Sequence, residues 1–188
     1  MVREHLVPTP EGYDPTTQAR ILYMAGQLDD QVRRLKESVE GIDPDLLEWQ
    51  IAPGRNTIGM LLAHIAVAEV WWIQAGAKGI RDLPEVNRIV KGVIGIRADE
   101  DGLPLPEGGG HPDALKGFTL DQYLALIDRG RVATHAALRT WTDAELDESF
   151  QLKGVTVSKG WILYHVLEHM VAHYGQILLL QRLGAAAP

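Results

Sequence analysis

The sequence predicts an all-α fold, a four-helix bundle with one long crossover between its second and third helices. Three observations predict it. Four stretches repeat apolar residues at three- and four-residue steps, which places them on one face of a helix. Each of these stretches starts near a residue whose side chain can accept from the free amides of a first helical turn. Between the second and third stretches, residues 78–118 carry seven glycines before Lys116 and four prolines instead.

Residues 1–13 are polar, carry Pro8 and Pro10, and read as an N-terminal arm. Asp14-Pro15 is the expected start of the first helix, with Asp as cap and Pro at a position that needs no N–H. Ile21, Leu22, Ala25, Leu28, Val32, Leu35 and Val39 then form its buried stripe up to Gly41, and Asp43-Pro44 opens a short helical turn. Asn56 or Thr57 caps the second helix, which runs to about Gly76 and carries almost no charge except Glu69, so it must be largely buried. The segment 78–118 reads as a long loop, a length that in a compact domain usually signals a functional lid or disorder. Thr119 and Gln122 form a capping box for the third helix, which ends near Trp141; Thr142 and Glu145 form another for a short turn. Phe150 to Val157 reads as extended or a small hairpin, and Ser158 caps the last helix, which Gly184 stops.

At 188 residues a single domain spanning 1–188 is expected, large enough to bury roughly 65–70% of its unfolded surface. Lys and Arg number 18 against 25 Asp and Glu, a net charge of −7, which argues against nucleic acid as a partner. No stretch approaches the ~18 uninterrupted apolar residues of a membrane span, and the N-terminus lacks a signal-peptide core, so a cytoplasmic protein without a membrane partner is expected. The absence of cysteine excludes disulfides, thiolate metal sites and a cysteine nucleophile. Any metal must be held by His, Asp, Glu or backbone oxygen.

Seven histidines make that constraint informative. His169 and His173 lie one turn apart on the apolar stripe of the last helix, where two imidazoles can converge on one cation. His64 lies on the face of the second helix formed by Thr57, Leu61, Ala68 and Trp71. Buried imidazoles are costly unless bonded or ligated. Three neutral imidazoles with a position left open match a catalytic zinc-type site, and bundle interiors are where such sites are built. His165 lies about 12 Å along the axis from His173, too far for one ion to take both, and falls to the flank of the stripe. It is expected to support the site, face substrate or be structural. His165-Val-Leu-Glu168-His169 also matches an inverted zinc-peptidase pattern, the weaker reading because no Asp or Glu follows Glu168.

The motif His169-Met-Val-Ala-His173-Tyr-Gly175-Gln176-Ile177, with His64 on an apolar second helix, resembles the DinB-like family of bacterial four-helix-bundle proteins. The resemblance runs from about Thr16 to Leu183 and includes the long loop and the run Gly160-Trp-Ile-Leu-Tyr-His-Val-Leu-Glu-His. It implies metal ligands at His64, His169 and His173, the three that helical spacing singles out. It further implies a divalent metal, zinc or nickel among others, and a homodimer built by helix packing. Relatives include thiol S-transferases that use bacillithiol or mycothiol, and one branch isomerises maleylpyruvate.

The expected function is therefore a metal-dependent transferase or hydrolase acting on a small molecule, with any sulfur nucleophile supplied by a low-molecular-weight thiol cosubstrate. The alternative is a metal-stabilised or ligand-binding bundle without catalysis. Glu69, Glu168 and Tyr164 are not assigned catalytic roles. Trp71, Trp72 and Trp161 read as core or pocket wall; His5, His111 and His135 as solvated; Gly108-Gly109-Gly110 as flexible rather than a phosphate cradle, lacking a P-loop Lys. Arg129 and Arg131 read as surface residues or partners for an anionic group, and Arg33-Arg34 as part of a solvated face.

Overall fold

The computed structural model describes residues 7–152 and 154–186; His5 lies outside them. Five α-helices form among the described residues: α1 Ala19–Val39, α2 Ile58–Val70, α3 Leu83–Ile94, α4 Leu120–Leu138 and α5 Lys159–Gly184. The four predicted helices are α1, α2, α4 and α5. The fifth, α3, sits inside the segment read as a loop, and it is a real amphipathic element. Asp82 caps it by accepting from Glu85 N, Pro84 occupies its first turn, and Gly95 at φ +95° ends it. Val86, Val90 and Ile94 bury its inner face. The glycines and prolines around it hide this periodicity rather than contradict it.

The other helix starts follow the capping chemistry. Thr57 Oγ1 accepts from Met60 N, Thr119 and Gln122 form a reciprocal capping box, and Ser158 Oγ accepts from Trp161 N. The start of α1 differs. Asp14 binds Thr16 and Thr17 and caps only the turn that leads to the helix. The first amides of α1 are satisfied from across the chain, where the Asp143 carboxylate accepts from Arg20 N at 2.8 Å and Ile21 N at 3.1 Å. The arm is held down as well. A Cβ at Gly26 would lie 2.0 Å from the Pro8 carbonyl oxygen, so glycine lets the arm rest on α1.

Every residue of α2 except His64 is buried, so this helix is the spine of the bundle. It packs against α4 and α5, and Gly59 makes room for Tyr123 of α4, whose hydroxyl would lie 2.5 Å from a Cβ there. The stretch Ile58–Lys78 is long and apolar enough to cross a membrane by length and composition, but its apolar surface is buried against the neighbouring helices. Beyond Val70 the helix widens into a π-turn, Trp71–Ala75, followed by a 3-10 turn, Gly76–Lys78. Between α4 and α5, β1 (Ser149–Leu152) and β2 (Val155–Ser158) pair antiparallel as the expected hairpin.

The core has two parts. The larger runs along α2 from Leu61 to Val70 and takes in α3, α4 and the C-terminal half of α5; the smaller gathers Ile21, Ala25 and Leu28 with Leu138, Ile162 and Val166. A buried polar network crosses the helices beside them. Arg131 of α4, 6% exposed, bonds Glu69 of α2 at 2.8 Å and Asp29 of α1 at 3.0 Å. His135 joins it through Asp29 at 2.9 Å and Tyr13 at 2.7 Å. Neither Arg131 nor His135 is therefore a surface residue, because a guanidinium this deep requires the carboxylates that surround it. Arg129 donates to the Ile94 carbonyl at the end of α3, and Arg33 pairs on the surface with Asp30 and Glu37 as expected.

Candidate metal centre

His64 projects from the spine helix toward the face of α5 that carries His169 and His173. The α-helical i, i+4 spacing sets those two rings 4.3 Å apart between centroids, and packing of α2 on α5 brings the His64 ring within 4.8 Å and 5.0 Å of them. The three Nε2 atoms converge. His169 Nε2 lies 3.0 Å from His64 Nε2 and 3.1 Å from His173 Nε2, and the three candidate donor atoms all lie within 4.8 Å of one another.

Each outer ring is oriented by a bond on its far nitrogen. His64 Nδ1 is 2.7 Å from Asp101 Oδ2, and an ionised carboxylate can only accept, so the proton sits on Nδ1 and the Nε2 lone pair faces the cluster. Asp101 is 1% exposed, and its other oxygen accepts from Leu103 N at 3.0 Å. His173 Nδ1 donates to Gln176 Oε1 at 2.9 Å, which leaves its Nε2 lone pair inward as well. Two lone pairs and a third imidazole thus meet at one point. A single proton on His169 Nε2 can point at only one of its neighbours, whereas one cation satisfies all three. The spacing is close to the ~3.3 Å between nitrogens on a tetrahedral ion with bonds of about 2.0–2.1 Å. The donor set fits a divalent metal, and the carboxylate–imidazole pairing is the usual way such a ligand is held in its tautomer and orientation.

Burial, together with the neighbouring His173, His64 and His165, pushes His169 down to about 3, and burial pushes His173 down too, against the bond to Gln176. In the unfolded chain both titrate near 6.5, so between that pH and about 3 the unfolded state binds more protons. Stability of the metal-free protein must therefore fall as pH drops below about 6.5. Thermal melts of chelator-treated protein from pH 7.5 to 5 are expected to show a declining Tm, and His169→Ala to flatten that decline.

The remaining candidates are placed differently. His165 stacks on Trp161, with 4.8 Å between centroids and 6° between planes, and stands 5.8 Å from the His169 ring, outside the cluster. Glu168 is exposed, accepts from the Tyr164 hydroxyl at 3.3 Å and lies 3.5 Å from His165 Nδ1, so the inverted-peptidase reading has no geometry behind it. His111 is not solvated: its Nδ1 is 2.8 Å from Thr57 Oγ1, and burial lowers its pKa. Asp101 was not singled out from sequence. Among Asp99, Glu100 and Asp101, only the fold distinguishes the one that turns inward.

The cluster opens on a cavity of about 550 Å³, lined by His64, His169, Asp101, His165, Trp71 and Trp72 among others. A second, mostly apolar cavity of about 300 Å³ shares the Trp71 and Trp72 wall and is lined on its other side by the hairpin residues Leu152 and Val155.

The family model described as the DinB superfamily matches residues 27–177, a span that contains all three histidines and Asp101. The chain belongs to the DinB superfamily. Its fold is similar to that of a DinB-like protein from Bacillus cereus, at a TM-score of 0.50 and 18% identity, over 85% of this chain and 91% of that one. No curated protein matches the chain. The superfamily assignment accords with the all-α bundle and with a three-histidine cluster able to hold a metal ion.

Proposed function

We propose that this DinB superfamily member is a metal-dependent enzyme acting on a small molecule in the cytoplasm, with His64, His169 and His173 holding zinc or nickel and thiol-dependent S-transfer as the reaction favoured over hydrolysis. The observation that carries the reading is that two of the three clustered imidazoles, His64 and His169, line a cavity of about 550 Å³, whereas a structural metal would be enclosed. Neutral imidazoles suit both metals. A divalent cation held by His64, His169 and His173 would lower the pKa of a thiol or water and polarise an electrophile.

The chain's own contribution is positional. Asp101 and Gln176 lock two rings with their lone pairs inward, and Trp71 and Trp72 give the cavity beside them an apolar wall. With no cysteine in the protein, sulfur chemistry requires a free thiol. In the transfer, a sulfur–carbon bond forms, the leaving group departs with the bonding pair, and the thiol proton passes to solvent.

Elemental analysis of the purified protein followed by turnover of an alkyl halide with bacillithiol, mycothiol and glutathione tests the reading. Metal near one equivalent and turnover with one thiol, lost in His64→Ala, is the expected result. Stoichiometric metal with no turnover of any thiol, ester or amide would move the assignment to a metal-stabilised bundle. Protein that binds no metal would remove the basis of both.

A further inference from the structure

The cavity beside the histidines holds two formally charged side chains, Asp101 and Arg81. Asp101 is committed to His64 and the Leu103 amide. Arg81 stands at the start of the crossover, pairs with no carboxylate among the described residues, and donates through Nη2 to the carbonyl oxygen of Gln151 in β1. That single bond ties the crossover to the hairpin at the exposed edge of the cavity and leaves most of the five N–H donors of a planar guanidinium available. Trp71, Trp72 and His165 line the same cavity, with the Trp72 and His165 rings 4.8 Å apart.

We propose that Arg81 is a specificity-determining residue that receives the carboxylate of the substrate, whose apolar body lies along the Trp71–Trp72 wall. This rests on the preceding reading only for the cavity's being the substrate site. A guanidinium with free N–H groups binds a carboxylate in a two-point, charge-assisted contact, which a neutral amide cannot reproduce. The local field supports it. In a chain of net charge −7 an anionic ligand gains nothing from the surface at large, and an exposed guanidinium on the cavity lining supplies the attraction where it is needed.

Three tryptophans, Trp71, Trp72 and Trp161, line the two adjoining cavities, so binding can be read by intrinsic fluorescence and checked by calorimetry. The probes are phenylacetate and its neutral isostere phenylacetamide, with metal content and Tm measured on the same samples. Phenylacetate is expected to bind about tenfold more tightly than phenylacetamide to the wild type. Arg81→Gln should bring the two within about twofold at unchanged Tm and metal content, and Arg81→Lys, which keeps the charge and loses the two-point contact, should retain part of the preference. Equal affinities in the wild type, binding of neither probe, or a preference that survives Arg81→Gln would overturn the proposal; the last would assign the carboxylate to the cation instead. Failure of the metal reading has a separate signature, since samples without metal can still show the Arg81-dependent preference.

Discussion

Replacement of His169 by alanine is expected to reduce bound divalent metal from about one equivalent to under a tenth, because His169 Nε2 is the atom that touches both other donors, at 3.0 Å and 3.1 Å. Metal at 100 times its Kd adds about 2.7 kcal/mol to a folded state that alone binds it. For a chain of this length that is a rise in Tm of roughly 5–10 °C. The rise should be absent in His169→Ala, measured by melts with and without added zinc. Asp101→Asn is the milder counterpart. Both carboxylate oxygens are engaged, one by His64 Nδ1 and one by Leu103 N, and an amide has a single acceptor for the two. Affinity for metal should weaken by about 10–100-fold with the histidines intact. Wild-type stoichiometry in His169→Ala would sink the ligand assignment, and unchanged affinity in Asp101→Asn would deny the carboxylate its orienting role.

Arg131→Ala should be the most destabilising substitution outside the apolar core. Glu69 is 3% exposed and its nearest cation is Arg131 at 2.8 Å, so truncation leaves a carboxylate charged and unpaired among helices α1, α2 and α4. Breaking one side of a buried pair costs about 3–5 kcal/mol, a fall in Tm of roughly 10 °C. Removing Glu69 and Arg131 together, as Glu69→Leu with Arg131→Met, should recover part of that loss, because the desolvation cost of this pair disappears while Asp29 loses the guanidinium and keeps His135 at 2.9 Å. Circular dichroism melts of the single and double variants separate the cases. A single variant as stable as the wild type would show that water reaches Glu69. Metal content should be unchanged in all of them.

The sequence carried the parts of this structure that obey local rules. Caps at Thr57, Thr119 and Ser158 and the i, i+4 pair His169 and His173 are properties of one helical turn, and each is found where its spacing indicates. His64 was legible for a different reason, as an imidazole on an almost uncharged helix without a solvent face. What escaped depends on distant packing. Arg131 and His135 look like surface residues until α1 supplies Asp29, and Asp101 looks like its acidic neighbours until the crossover folds back over α2. Helix α3 lay between these extremes: Val86, Ile89, Val90, Val93 and Ile94 repeat correctly, but Gly92 and the flanking glycines outweighed them.

The π-turn at Trp71–Ala75 sets a phase. A helix turns about 100° per residue, so one additional residue within a turn redirects every side chain after it. Upstream, Ala66, Val67 and Val70 belong to the larger cluster; from the turn onward the residues divide, with Ile73, Trp72 and Ala77 on the smaller cluster and Trp71 and Ala75 on the larger. The extra residue acts as a joint that lets one continuous helix serve two cores with different headings. Loss of any one residue from this segment would leave the composition of α2 almost untouched and still set its imidazole and its indoles out of step. Chain length here, more than the identity of any side chain, keeps the metal ligands and the aromatic wall facing the same space.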